Sequence, residues 1–136
     1  MVNISIQYTG GLHCEAIHQP SGRKLETDAP VDNQGKGESF SPTDLVATAL
    51  GTCMATTMAI FAQRHGIELK GTEISVGKVM TTEGPRRIAR LVTEIQVPFP
   101  PTFEKRETLE KAALTCPVHR SLADDVEKPV TFHWKG

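Results

Sequence analysis

The chain has few aromatic residues and no long apolar run. Phe, Trp and Tyr make up 5% of its 136 residues, and no stretch approaches 18 consecutive apolar positions. No membrane-spanning helix and no membrane partner are therefore expected. An excess of one charge is also missing, because 15 Lys and Arg nearly balance 16 Asp and Glu, leaving a formal net charge of −1. With no Lys/Arg cluster, nucleic acid and acidic membranes are excluded as main partners. The opening MVNISIQYTGG lacks the basic and apolar regions of a secretory signal, which points to a cytoplasmic location. The GxSxG, HExxH, GxGxxG and P-loop patterns are absent, removing the common hydrolase, zincin and nucleotide-binding readings.

What is present is an ordinary globular composition, 38% hydrophobic and 23% charged, at a length suited to one domain over residues 1–136. From Val2 to Thr27, short β-like runs are separated by Gly10-Gly11 and by Pro20-Ser21-Gly22. Ile4, Ile6 and Tyr8 fall at period two, as a half-buried strand requires. Asp28 to Ser39 is polar and glycine-dotted, and reads as a mobile surface loop.

A long helix is then signalled by Ser41 as cap, Pro42 at the first position and Asp44 in the first turn. Its apolar series is Leu45, Val46, Ala49, Leu50, Cys53, Met54, Thr57 and Phe61, and Gly66 ends it. The small residues of its middle, Ala47 to Ala59, suggest a central, buried helix. Two strands, Glu68–Thr82 and Arg86–Val97, should pair through Glu83-Gly84-Pro85. Thr102 is the expected cap of a second helix, Phe103 to Thr115, in which Glu107 and Lys111 would pair. A helical turn over Val118–Ala123 and a closing strand Val130–Trp134 complete an α+β order.

Three cysteines carry the chemical interest: Cys14, Cys53 and Cys116. An odd count is unusual for a secreted disulfide scaffold, and in a reducing compartment thiols are more often buried, metal-bound or redox-active. Cys53, on or beside the apolar stripe of the long helix, reads either as a small buried hydrophobe or as a functional thiol. Cys116 before Pro117 can cap a helical turn, with the N–H groups of Val118 and His119 directed at its sulfur. Such a position lowers a thiol pKa, and His119 and Arg120 add potential positive charge, while a packed Cys-Pro junction is the plainer alternative. Cys116 and His119 also have metal-ligand spacing, but only Cys53 and Asp44 could complete a zinc site, so no metal is assigned. Cys14, in Leu12-His13-Cys14-Glu15, reads as structural.

The segments SPTDLVATALGTCMATTMA and LTCPVHRSL together resemble the OsmC/Ohr superfamily, the osmotically inducible protein C and organic hydroperoxide resistance proteins, in its general OsmC-like branch. The resemblance implies an α+β OsmC-like fold, with antiparallel sheets packed around a long central helix in a swapped homodimer. It also implies a thiol peroxidase needing no metal, flavin or other cofactor. Cys53 would attack an organic hydroperoxide and become a sulfenic acid, Cys116 would resolve it as a Cys53–Cys116 disulfide, and an external dithiol, lipoyl or similar, would reduce that bond. Leu50, Met54 and Met58 would line the apolar approach.

The family activates its attacking thiol with an arginine from the first turn, held by a glutamate ten residues before the cysteine. Leu12 and Thr43 stand at those positions here. Arg23 and Arg120 are the candidate replacements for the arginine, and Asp44 is the nearest carboxylate. A different class of function fits the same residues, an OsmC-fold protein that binds a small molecule or senses redox state without turnover.

Overall fold

A reciprocal cap sets the longest element. Ser41 Oγ accepts from the Asp44 N–H at 3.1 Å, and Asp44 Oδ2 accepts from the Ser41 N–H at 2.9 Å. The two bonds satisfy amides that a helix start leaves open. Helix α1 (Pro42–Gln63) follows, and Gly66 at φ +69 ends the chain's turn out of it. The computed structural model describes all residues from Met1 to Gly136, and the chain divides into two compact units, Met1–Val46 and Ala47–Gly136.

The first unit is an antiparallel meander of β1 (Ile4–Gly10), β2 (His13–His18) and β3 (Lys24–Asp28). Its first turn takes Gly10, Gly11 and Leu12 through positive φ in succession, and only Leu12 bears the steric cost of a Cβ there. Period two in β1 was expected to bury one face, yet Ile4, Ile6 and Tyr8 are 51%, 69% and 62% exposed. The strand forms, but neither face is covered within one chain.

The loop after β3, expected as a mobile surface segment, is anchored at its two ends by Asp28. Asp28, 6% exposed, accepts from the Glu38 N–H through Oδ2, meets His13 Nδ1 at 2.7 Å through Oδ1, and donates its own N–H to the Phe40 carbonyl. A 3-10 turn at Val31–Asn33 lies between those anchors.

The second unit sets the rest of α1 with a sheet of β4 (Glu73–Met80), β5 (Ile88–Val97) and β6 (Val130–Trp134). β4 and β5 pair antiparallel. β5 and β6 pair parallel, which corrects the all-antiparallel expectation. The physical reason is the connection. After β5 the chain forms α2 (Arg106–Leu114) and α3 (Pro117–Ser121), and a crossover of that length brings it back in the same direction. The N-cap of α2 is Lys105 and makes no side-chain cap bond, so Thr102 is not the cap. Phe103 instead sits in a turn, its ring against Phe99 and Trp134.

The buried stripe of α1 is Ala47, Leu50, Gly51, Met54, Met58 and Ala62. It is rotated from the expected series, and Cys53, Thr57 and Phe61 are left half-buried. Gly51 fits the rotation: a Cβ there would stand 2.9 Å from Val76 Cγ2 and 3.3 Å from Ile74 Cγ2, so β4 packs directly onto the helix where a side chain is missing. The helix is therefore buried along one stripe, not on all sides. By length and composition alone α1 could cross a membrane, with a mean hydropathy of 1.7 over its best window. Threonines interrupt the run, so a count of consecutive apolar residues does not detect this. Its packing against β4 is that of a domain helix.

Candidate dithiol site

Pro117 cannot donate an N–H and suits the first position of α3, which leaves Cys116 as the extended residue before it, at φ −62 and ψ 146. Its Sγ accepts from the His119 N–H at 3.3 Å. The capping geometry read from the sequence is therefore formed. Its electrostatic consequence is not, because Cys116 is fully buried and burial pushes its thiol pKa up, more than the His119 and Val118 N–H groups pull it down. The neighbouring Cys53 thiol raises it further, both as a hydrogen-bond partner and as a potential like charge. A helix-terminus thiol shielded from water remains a thiol.

Cys53 is half-buried on α1 and close enough to Cys116 to raise its thiol pKa. Both are free, as is Cys14. The fold thus brings together two thiols that are remote in sequence, one from the middle of a helix and one from a cap. Cys14 belongs to the sheet of the first unit, opposite Tyr8 on one side and Thr27 on the other.

The expected supporting residues fall in different places. Burial, and then the charge of Lys128, hold the His119 imidazole below its ordinary pKa, so it is neutral near pH 7 and supplies no cation. Arg120 is exposed and its side chain forms no ion pair. Arg23 is exposed in the turn before β3, where its backbone meets Ser21 and His18. Asp44 spends one carboxylate oxygen on the helix cap. Nine residues along one helix separate it from Cys53 by about 13 Å. No group of three or more His, Cys, Asp or Glu side chains converges as a metal site.

Leu50, Met54 and Met58 have no solvent exposure. They are core residues of the stripe that faces the sheet, which corrects their reading as the lining of an open approach. Met58 also borders a cavity of about 290 Å³ shared with Leu69 and Thr72. A larger cavity of about 410 Å³ lies in the groove between α1 and α2. Thr57, Ile60, Phe61 and Arg64 line it from the side of α1. Thr108, Lys111 and Thr115 line it from the other side, Thr115 being bonded directly to Cys116. The sequence held one signal for this groove. Cys53, Thr57, Phe61 and Arg64 recur at helical spacing, so they share one face.

Residues 35–128 match the family described as OsmC-like protein. The chain belongs to this family. Among solved structures, a candidate osmotic stress induced and detoxification response protein from Psychrobacter arcticus 273-4 is 41% identical, with a TM-score of 0.91 over 98% of this chain and 96% of that one. An organic hydroperoxide resistance protein OsmC from Legionella pneumophila is 16% identical, with a TM-score of 0.78 over 98% and 96%. One from Elizabethkingia anophelis, also an organic hydroperoxide resistance protein, is 16% identical, with a TM-score of 0.78 over 98% and 95%. The last two share the OsmC-like fold with this chain. No curated protein matches the sequence.

Proposed function

We propose that this OsmC-like chain reduces organic hydroperoxides with a cysteine pair, Cys53 attacking and Cys116 resolving. The observation that carries the reading is the adjacency of the two free thiols, one half-open and one buried. Family membership and the names of the Legionella and Elizabethkingia proteins support it. The Cys53 thiolate attacks the distal oxygen of ROOH. The O–O bond breaks, alcohol leaves after taking up a proton, and Cys53 becomes a sulfenic acid. The Cys116 sulfur then displaces that hydroxyl, forming the disulfide and releasing water. An external dithiol, lipoyl or similar, reduces the disulfide and is itself oxidised.

Burial fits Cys116 for the second role. A thiol that keeps its proton competes poorly for peroxide and reacts once a sulfenic acid stands beside it. The exposed apolar face of β1 supports a homodimer as the working unit. The cytoplasmic location expected from the sequence belongs to the same reading.

The test is dithiol-driven peroxide consumption by wild type, Cys53→Ser and Cys116→Ser, with cumene hydroperoxide and hydrogen peroxide. Turnover favouring the organic peroxide should vanish in Cys53→Ser. In Cys116→Ser, dithiol-driven cycling should fall and Cys53 sulfenic acid should accumulate. Wild-type inactivity with two titratable thiols would sink the peroxidase. A binding or redox-sensing protein is the second reading. It is favoured by Leu12 standing where the family resemblance implies arginine, together with a neutral His119. It predicts stoichiometric oxidation of Cys53 without turnover.

A further inference from the structure

We propose that His13 is a pH-sensitive latch, whose charged ring holds the loop of residues 29–40 against β3 and whose neutral ring lets that loop loosen. The device is independent of the dithiol chemistry.

The surroundings of the ring call for the charge. His13 Nδ1 meets Asp28 Oδ1 at 2.7 Å, and Nε2 faces Glu26 Oε1 at 3.6 Å. An ionised carboxylate only accepts hydrogen bonds, and a neutral imidazole has a single N–H to give. The imidazolium alone satisfies both acids at once. When it loses a proton, one ring nitrogen turns a lone pair toward a carboxylate.

The same two acidic residues carry the loop. Asp28 Oδ2 accepts from the Glu38 N–H, the Asp28 N–H donates to the Phe40 carbonyl, and the Glu26 carbonyl accepts from Ser39 Oγ, each at 3.1 Å. Residues 38–40 thereby cover the outer edge of β3, the last strand of its sheet. Ala29 donates its N–H to the Leu12 carbonyl at 3.1 Å. Leu12, directly before His13, is held at φ +60, a costly value for a residue with a bulky side chain. One imidazole thus joins a strained turn to the segment that covers the strand edge. The body of the loop is held from within, because the Pro30 carbonyl accepts from the Asn33 and Gly35 N–H groups at 2.9 Å. The latch therefore governs residues 38–40 and not the whole loop.

The charges around the ring agree on the sign. The Asp28 bond raises the His13 pKa, burial opposes it, and Glu26 raises it again. β1 carries no charged side chain. Of Asp32, Lys36 and Glu38 in the loop, Lys36 acts on Asp28 and, after His13, helps keep that carboxyl ionised. Lys36 stays charged well above neutral pH. Cys14, the next residue of β2, points to the other face of the sheet. His13 is therefore the member of the cluster that changes charge as pH rises. The latch is complete below the ordinary imidazole value of about 6.5 and is lost through the raised one.

The experiment follows amide exchange and the His13 ring together, by NMR of the full chain between about pH 6 and pH 9. Protection of the Glu38 and Asp28 amides, corrected for the intrinsic pH dependence of exchange, should fall about two- to fivefold, as an exposed charge pair allows. Its midpoint should coincide with the titration of the His13 ring. His13→Gln should show low protection with no transition. His18→Gln, at the far end of β2, should leave the transition in place. Circular dichroism checks the fold of both variants, and the coincidence of midpoints tests the latch in wild type alone. Constant protection in wild type, a midpoint apart from that of His13, or a transition that survives in His13→Gln would overturn the proposal.

Discussion

Thr93 and Cys116 are both fully buried, and each carries a polar atom whose surroundings set a measurable consequence. Thr93 lies in β5 with no exposure, and its Oγ1 has no hydrogen-bond partner. A hydroxyl removed from water without compensation costs stability, and Val replaces it at nearly the same volume. Thr93→Val should therefore raise unfolding free energy by about 1 kcal/mol, read from the midpoint of urea denaturation. An equal or lower midpoint would mean that the hydroxyl is satisfied in solution. For Cys116 the sign follows from the raised thiol pKa. The folded chain holds this proton to higher pH than the unfolded chain does. The thiol's contribution is thus complete below the ordinary thiol value of about 8.5, and is lost as pH rises through the raised value. Between about pH 8 and pH 10 the stability of wild type should fall faster than that of Cys116→Ala. Parallel curves would remove burial as the controlling influence on this thiol.

At the scale of elements, the ion pair of His13 and Asp28 does what no local pattern announced. It ties β2 to the end of β3 and, through the Glu38 N–H, holds the loop that precedes α1. The Asp28 bond raises the His13 pKa above its ordinary value, and the His13 bond lowers that of Asp28. Asp28 then stabilises above the ordinary carboxylate value and loses effect as pH falls through its lowered one. His13 stabilises below the ordinary imidazole value and loses effect as pH rises through its raised one. Both contribute fully between about pH 4 and pH 6.5. Asp28→Ala should accelerate exchange of the Glu38 amide by about tenfold in that window, measured by NMR. Unchanged exchange would show that the loop is held by other means.

The contrast with α1 and α3 shows what sequence can carry. The Ser41–Asp44 cap, the stop at Gly66 and the Cys116-Pro117 cap were legible because each is a local bond between residues a few positions apart. The rotation of the α1 stripe was not, since it depends on where Gly51 meets Val76 and Ile74, residues remote in sequence. The same holds for Cys116, whose cap could be read but whose burial is a product of the tertiary fold.

At the scale of the molecule, the surface of the chain is incomplete by the standard of its own patterning. β1 has the alternation of a half-buried strand, and yet Ile4, Ile6 and Tyr8, with Leu25 of β3 at 46% exposure, face solvent. Monomeric proteins seldom expose contiguous apolar patches of more than a few hundred Å². On α1, Thr52, Thr56 and Ile60 are exposed on a helix whose mean hydropathy reaches 1.7. Both features make sense if a second copy of the chain covers them, as the family resemblance implies. The half-buried character read into β1 would then belong to the assembly and not to the single chain. Light scattering coupled to gel filtration should give twice the 14.8 kDa chain mass. Ile6→Lys combined with Tyr8→Lys places charge in the patch that a second copy would bury. It should shift the equilibrium toward monomer and weaken apparent stability by about 2 kcal/mol or more, in a way that depends on protein concentration. A wild-type chain that runs as a monomer at every concentration would refute the assembly and leave the exposed strand face without an occupant.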